Sequence, residues 1–238
     1  MIEAHTPEEA VALQLRLRDQ VRVDAPLVRP PRLIAGLDVA YEDFSDESTG
    51  EALVAGAIAV LDAITLDLVE QVTAVGRSTF PYVPGLLAFR ELPTLLAAWD
   101  SLTVRPDVVV CDGYGIAHPR RFGLACHVGL ATGVPAFGVG KTAFVGTHGE
   151  VGTERGASAD LIDGGEVVGR ALRTQPGVKP VYVSPGHLID LDGACELTLR
   201  LTPRYRQPET TRRADRACRD ALRAALTNAP EQLPPSPR

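Results

Sequence analysis

The stretch Leu-Ile-Ala-Gly-Leu-Asp-Val-Ala-Tyr, residues 33–41, predicts a buried strand with one aspartate, Asp38, set into it. The residues on both sides of Asp38 are apolar or small, a composition typical of a strand that is covered on both faces. Aspartate is disfavoured in strands and is seldom fully buried without a partner. An isolated carboxylate there would be strongly destabilising or would take up a proton. Asp38 therefore requires a compensating group, either a divalent cation or backbone amides at the end of the strand.

The composition is that of one globular domain with a sizeable core, since 45% of the 238 residues are hydrophobic and 23% are charged. A net charge of −6 argues against a non-specific nucleic-acid binder, although it leaves room for a local basic groove. No apolar run is long enough to span a bilayer, and the first residues lack the pattern of a signal peptide. The four cysteines form no CxxC pair and are predicted to be reduced thiols of a cytoplasmic protein.

The chain around this strand alternates between strand and helix patterns. Thr6 and Pro7 begin a helix that continues to about residue 20, with Val11 and Leu15 on its inner face. The patterns that follow predict two strands, at 51–61 and 66–75, which form an antiparallel meander with 33–41. After them the sequence predicts a helix at 86–99 and a strand at 106–111. A second pair follows, with a helix from 118 to about 132 and a strand at 134–139.

The C-terminal part predicts smaller features. Residues 145–192 are glycine-rich and predict a β excursion that decorates the domain, with a turn at 185–187. A last helix covers 209 to about 226. Residues 42–51 predict an acidic loop, and the proline-rich residues 229–238 a disordered tail, so that one catalytic domain occupies 1–228.

Four carboxylates stand where packing alone does not explain them. Glu91 lies on the apolar face of its helix, Asp112 ends a strand before a glycine turn, and Asp215 shares the inner stripe of the last helix. Together with Asp38 they would form an oxygen-rich site for a hard cation such as Mg²⁺ or Mn²⁺. Such a site suits phosphodiester hydrolysis, in which Lys141 would stabilise the charge of the transition state.

Each of these residues also has a structural interpretation. Glu91 could pair with Arg90, Asp112 could form the turn before its glycine, and Asp215 could pair with Arg212 or Arg219 at helical spacing. Gly140-Lys141-Thr142 is not a P-loop, because position 135 holds proline where that motif needs glycine. His127 and His187 are interpreted as structural residues.

Residues 80–85, Phe-Pro-Tyr-Val-Pro-Gly, place Tyr82 and Val83 between Pro81 and Pro84. Two prolines stiffen and extend the backbone, so that this segment predicts an exposed loop tip and not a core aromatic.

The element order and three motifs carry a resemblance to known proteins. The order β-β-β-α-β-α-β, with aspartate in the first strand and a carboxylate in the last helix, resembles the ribonuclease H-like fold, a mixed sheet flanked by helices. Gly36–Tyr41, the segment 81–91 and the segment 112–120 resemble motifs of the endonuclease V family, also called deoxyinosine 3′ endonuclease or deoxyribonuclease V. Segments 138–142, 184–187 and 208–215 extend the resemblance to about residues 5–225.

The resemblance implies a Mg²⁺-dependent DNA repair endonuclease, with Mn²⁺ as a substitute metal. It would recognise deoxyinosine and cut the second phosphodiester bond on its 3′ side, leaving 3′-hydroxyl and 5′-phosphate ends. Asp38, Asp112 and Glu91 match the metal ligands, and Lys141 matches a lysine beside the scissile phosphate. The remaining matches are a wedge of Tyr82 with Pro81, Val83 and Pro84, and a hypoxanthine pocket of Gly85, Leu87, Gly113 and His118.

Two positions depart from the family pattern, and other functions stay open. Val83 is often isoleucine in relatives, and Asp215 stands where some relatives have histidine, so its role as a catalytic ligand is less secure. The same fold could instead cut inosine-containing RNA or branched DNA. A protein of another class, a non-catalytic mismatch binder, would have no need for clustered carboxylates.

Overall fold

A single eight-stranded mixed sheet forms the centre of the protein. The computed structural model describes residues 4–42, 52–78 and 80–228, so the acidic loop from 43 onward and the tail at 229–238 lie outside the described residues. The sheet order is β3-β2-β1-β4-β5-β8-β7-β6. Its strands are β1 (Leu33–Tyr41), β2 (Ala52–Asp62), β3 (Leu68–Ser78), β4 (Val108–Cys111), β5 (Ala136–Gly140), β6 (Ser158–Asp163), β7 (Glu166–Leu172) and β8 (Val181–His187).

The first three strands have the arrangement that the sequence predicts, and the next two complete the mixed sheet that the resemblance implies. β1, β2 and β3 form an antiparallel meander, while β4 pairs with β1 and β5 pairs with β4 in parallel. The ribonuclease H-like α/β fold in one domain is therefore confirmed.

The glycine-rich region 145–192 is not a decoration, and that prediction was wrong. β8 pairs antiparallel with β5, and β7 and β6 follow it, so this region extends the same sheet by three strands. Residues 185–187 belong to β8 instead of forming a turn. Pro185 is accommodated because the register with β5 shifts there, and a bulge is one of the few places where a strand tolerates proline.

Helices cover both faces of the sheet. The described helices are α1 (Pro7–Leu17), α2 (Ala88–Asp100), α3 (Leu124–Thr132), α4 (Leu191–Leu201) and α5 (Glu209–Asn228). The side chains of α2 and α3 share one core with alternate residues of β1 and β4, and α4 and α5 pack on the opposite face.

Three helix predictions need correction. α4 was not predicted. α3 begins at Leu124 and not at 118, because residues 118–123 form turns closed by bonds such as Gly123 N to Gly115 O at 2.9 Å. In α1 the Thr6 cap is confirmed, but the buried side chains are Ala10, Leu13 and Gln14, while Leu15 is 42% exposed.

Gly36 allows α5 to lie directly on β1. A Cβ atom at Gly36 would stand 2.2 Å from the carbonyl carbon of Thr210 at the start of α5. Because side chains alternate along a strand, Asp38 points to the same face as Gly36. The close helix crossing therefore brings α5, including Asp215, over the aspartate of β1.

All four cysteines, which lie within the described residues, are free and buried, as the sequence predicts. No described helix is long and apolar enough to cross a membrane.

Candidate active site

Asp38 and Asp112 lie side by side at one end of the parallel strand pair. The register pairs Leu37 with Cys111, so the next residue of each chain segment is an aspartate. The backbone N–H of Asp112 donates to the carbonyl of Leu37 over 3.3 Å, which continues the ladder to this point. The sheet itself therefore fixes the two carboxylates as neighbours.

Asp38 is mostly buried and has only weak compensation for its charge. Its Oδ1 accepts a hydrogen bond of 2.8 Å from the N–H of Val39. Burial and repulsion from Asp112, with a smaller contribution from Asp215, raise the pKa of Asp38 to about 8. A local backbone amide was one of the two compensating groups considered for Asp38. The N–H of Val39 is such an amide, but it does not offset the cost of burying the negative charge.

Glu91 approaches this pair from α2, and its inward orientation is confirmed. Tyr41 donates its hydroxyl to Glu91 Oε1 over 3.0 Å. Burial, with further repulsion from Asp112, raises the pKa of Glu91 to about 7, although Tyr41 and Arg90 act in the opposite direction. Arg90 itself donates to the carbonyl of Phe80 and stands over the Tyr41 ring, so it does more than balance Glu91.

Lys141 brings a positive charge to the two aspartates. It follows the end of β5, and its Nζ lies 2.6 Å from Asp112 Oδ2. Burial works to lower the pKa of Lys141, but the hydrogen bond and attraction of Asp112 outweigh it and raise the pKa. The guanidinium of Arg206 donates to the backbone carbonyl of Lys141 and so holds this segment in place.

Asp215 forms one of the helical ion pairs that the sequence left open, and it also lies beside the other carboxylates. Its Oδ1 forms an ion pair of 2.8 Å with Arg219, while Arg212 pairs instead with Glu209. Asp215 nevertheless lies close enough to Asp38 to raise its pKa, and it lines a cleft of about 410 Å³ together with Asp112 and Lys141.

The spacing of the four carboxylates decides whether they could hold a metal ion as they stand. Within residues 4–42, 52–78 and 80–228, no three His, Cys, Asp or Glu side chains converge closely enough to hold an ion. Each carboxylate is turned toward a partner of its own: Asp38 to Val39, Glu91 to Tyr41, Asp112 to Lys141 and Asp215 to Arg219.

The chemistry of the donors nevertheless fits a hard cation. They are oxygen ligands only, and burial, with repulsion from Asp112 as a further cause, raises the pKa of both Asp38 and Glu91. A divalent ion bound by these oxygens would offset the cost of their buried negative charge.

The proline-bracketed loop is exposed, as predicted. Tyr82 is 67% exposed. Beyond it, Pro84 and Gly85 are the central residues of a turn closed by a bond of 2.9 Å from Leu86 N to Val83 O. Gly85 has φ +81°, which this turn requires at its third position and which glycine adopts without strain. Val83 packs partly against the core beneath α1, so the loop has a fixed base and a free tip.

A cavity of about 440 Å³ connects this loop to the carboxylates. Its wall combines predicted pocket residues with predicted catalytic ones: Tyr82, Pro84, Gly85, Leu87, Gly113 and His118 with Glu91, Asp112 and Lys141. Asp38, Asp215, Pro81 and Val83 lie outside this wall. Val83 instead lines a groove between the loop and α1.

The floor of the cavity depends on residues that the sequence analysis missed. The carbonyl of Gly85 accepts hydrogen bonds from Gln14 Nε2, His118 Nε2 and Arg120 Nη2 at 3.0, 2.9 and 2.8 Å. Gln14 is fully buried, also donates to the carbonyl of Phe122, and accepts from Arg120 Nε. The available signal is a polar residue, Gln14, on the buried face of α1, but the sequence pattern predicts Val11 and Leu15 on that face.

His118 is held in one neutral form by these contacts. Its Nδ1 accepts from the N–H of Arg120 over 3.2 Å, which leaves Nε2 as the donor to Gly85. Burial and the nearby Arg120 lower the pKa of His118 to about 4. The imidazole therefore acts here as a hydrogen-bond donor and not as a charge.

Two aromatic rings form the other wall of the cavity. Tyr114 and Phe144 stack with their ring centres 5.3 Å apart, and Phe144 also lies 5.6 Å from the ring of His118. This wall offers flat apolar surface of the kind that accepts a nucleobase. His127 and His187 do not line the cavity; His127 is buried between Phe89 and Phe122.

The family model and the most similar curated relatives name the same family. The family model for endonuclease V matches residues 15–216. A curated endonuclease V of Streptomyces avermitilis is 57% identical over 221 residues, which covers 92% of this chain and 94% of the relative.

Solved structures have the same architecture. The crystal structure of endonuclease V from Streptomyces avermitilis superposes with a TM-score of 0.86 at 55% identity, covering 94% of this chain and 96% of that one. Endonuclease V of Ciona intestinalis, solved with a 24mer DNA containing an inosine followed by a ribo-adenosine, gives a TM-score of 0.74 at 26% identity, covering 90% and 96%.

Proposed function

Because this chain belongs to the endonuclease V family, we propose that it is a DNA repair endonuclease directed at deoxyinosine. It hydrolyses the second phosphodiester bond on the 3′ side of the deaminated base and leaves 3′-hydroxyl and 5′-phosphate ends. It works in the cytoplasm as one catalytic domain, residues 1–228, with a divalent cation, Mg²⁺ or in its place Mn²⁺.

The observation that carries the proposal is the shared wall of the 440 Å³ cavity. One side offers the aromatic and backbone surface for a base, and the other offers Glu91, Asp112 and Lys141. A base that enters this cavity brings its own strand to the carboxylates. Recognition and hydrolysis can then occur in one complex, which a plain mismatch binder would not need.

Lesion extrusion is the role of the exposed loop. Tyr82 is a rigid aromatic at the tip of a loop stiffened by Pro81 and Pro84, so it can fill the gap in the stack while the base turns outward. The extruded hypoxanthine meets Gly85, Leu87, Gly113 and His118. Gly85 allows the loop backbone to approach the base closely, because it carries no side chain.

Hydrolysis adds water to the phosphorus and breaks its bond to the 3′ oxygen. Asp38, Asp112 and Glu91 would hold the cation, which supplies the activated water and neutralises charge on the leaving oxygen. Lys141 stabilises the negative charge of the transition state, and Arg206 fixes the backbone that carries it. Asp215 keeps the region around Asp38 negative and so favours cation binding.

Strand cleavage of an end-labelled duplex with one deoxyinosine tests the proposal. Wild type should nick it with Mg²⁺ and not with EDTA, Asp38→Ala should be inactive, and the exposed Asp19→Ala should match wild type. Tight binding by wild type without any nick would overturn the enzymatic function in favour of a binding protein.

Inosine followed by a ribonucleotide is a second candidate substrate, favoured by the DNA bound to the Ciona intestinalis relative. A deoxyinosine duplex with and without one ribonucleotide after the lesion, and an inosine RNA, should be compared in the same assay. Faster cutting of the all-deoxy duplex supports the DNA repair function, while cutting of the RNA alone would replace it with a ribonuclease.

A further inference from the structure

Three clefts follow one another across the face that carries the carboxylates. The 440 Å³ cavity and the 410 Å³ cleft share Asp112 and Lys141. The 410 Å³ cleft in turn shares Arg212 and Arg216 with a third cleft of about 520 Å³. The third cleft shares no residue with the first, so the carboxylates lie between the two.

The third cleft, here called the arginine groove, is lined by Arg204, Tyr205, Arg212, Arg213 and Arg216, with Glu209 and Asp220 also on its wall. Four arginines thus face two acidic residues, in a protein whose net charge is −6. This excess of positive charge is a local property of the groove and does not follow from the overall composition.

The arginines are placed to receive an anion. Arg212 stands 3.5 Å above the ring of Tyr205 and is tied to Glu209 at 2.9 Å, which fixes the plane of its guanidinium. The Arg216 side chain is 87% exposed, and its nearest acidic oxygen, on Asp220, is 3.9 Å away. Arginine binds phosphate through two parallel N–H groups, so such side chains suit a polyphosphate backbone.

We propose that the arginine groove binds the phosphates of the substrate strand on the 3′ side of the cut, the part that keeps the new 5′-phosphate. The inference rests on the proposed function, which puts the base in the first cavity and the scissile bond, 3′ to it, at the carboxylates. A strand that continues in the same direction enters the third cleft. The groove therefore sets how much 3′ flank the enzyme requires.

Cleavage under kcat/KM conditions tests the proposal with two deoxyinosine duplexes that differ only in their 3′ flank. One flank spans a full turn of the double helix beyond the cut, and the other ends just past it. Wild type should prefer the long flank. Arg204→Ala/Arg213→Ala, which changes two arginines of the third cleft that line neither of the others, should lose about tenfold on the long flank and little on the short one. The salt dependence on the long flank should fall by about two units of logarithmic slope, since two phosphate contacts are lost.

Arg223→Ala is the matched control, because it removes an arginine from the helix that carries Arg213, outside all three clefts. It should behave as wild type. If the double variant lost cleavage activity equally on both duplexes, or lost none, the proposal that the arginine groove binds the 3′ flank would be wrong.

Failure of the proposed function has a different signature, namely that wild type cuts neither duplex. Fluorescence anisotropy with an undamaged duplex then measures whether the arginine groove binds DNA, independently of cleavage. Weaker binding by the double variant than by Arg223→Ala supports a phosphate-binding surface, and equal binding overturns it.

Discussion

Replacing Gln14 by alanine should destabilise the protein and loosen the loop that carries Tyr82, although Gln14 lies on α1, outside the predicted catalytic set. The side chain is fully buried and joins three segments of the chain. Its amide donates to Gly85 and Phe122, and its oxygen accepts from Arg120.

The magnitude follows from which partners are left unsatisfied. The Phe122 carbonyl and the Arg120 Nε each lose this hydrogen bond, at about 1–3 kcal/mol for a buried group. Gly85 loses little, because His118 and Arg120 still donate to its carbonyl. Since Arg120 is partly exposed and can turn to water, the expected loss in the free energy of unfolding is about 2–4 kcal/mol.

Urea unfolding of Gln14→Ala and of the exposed Gln20→Ala measures this loss against a matched control. Gln14→Leu restores volume without hydrogen bonds and should stay destabilised. Recovery of wild-type stability in Gln14→Leu would refute the reasoning, since the loss would then be a cavity effect. In the cleavage assay, Gln14→Ala should raise KM more than it lowers kcat, because the loop that contacts the base is displaced.

Three further outcomes are expected. Tyr82→Ala should lose at least about tenfold in deoxyinosine cleavage. Its unfolding free energy should change by less than about 0.5 kcal/mol, since the ring is 67% exposed, and a large stability loss would contradict the role of Tyr82 as a wedge. The pKa of His118 is lowered to about 4, so between that value and the usual 6.5 only the unfolded chain takes up the proton, and stability is lost as the pH falls through this window. His118→Gln should therefore reduce the drop in unfolding free energy between about pH 7 and about pH 5 by about 2 kcal/mol in chemical denaturation. Gly36→Ala should cost about 1–3 kcal/mol in the same measurement and lower cleavage, because its Cβ would push α5 away from Asp38; unchanged activity would show that α5 does not need its present position.

The part of the fold that the sequence predicts well is the part with local signals. Residues 33–41 alone have a strand pattern strong enough to give the observed bounds of β1, and Thr6 with Pro7 marks the start of α1. For the region of β6 to β8 the sequence predicts only a glycine-rich β excursion, and it does not place these strands in the main sheet. Their pairing with β5 depends on backbone contacts between residues far apart in sequence, which a local pattern does not contain.

The residues of the candidate site also fall into those with a local signal in the sequence and those without one. Glu91 and Asp112 stand out because a carboxylate in an apolar pattern needs an explanation. Gln14 and Arg120 are ordinary residues in their own segments, and their joint contact with Gly85 arises only from tertiary structure. The Asp215–Arg219 pair could be anticipated from helical spacing. The arginine-rich last helix could be either a solvated face or the wall of a DNA groove, and its spacing does not show which arginines line a cleft.

The crossing of α5 over β1 also determines when the nuclease can exist during synthesis. Asp38 emerges from the ribosome early, but the helix that seats on Gly36 and carries Asp215 is the last described element of the chain. A nascent chain that stops before residue 209 leaves the aspartate face of β1 uncovered and lacks both Asp215 and most of the arginine groove. An enzyme that cuts DNA is thus assembled only once its translation is nearly finished, and interrupted synthesis yields fragments with an incomplete site.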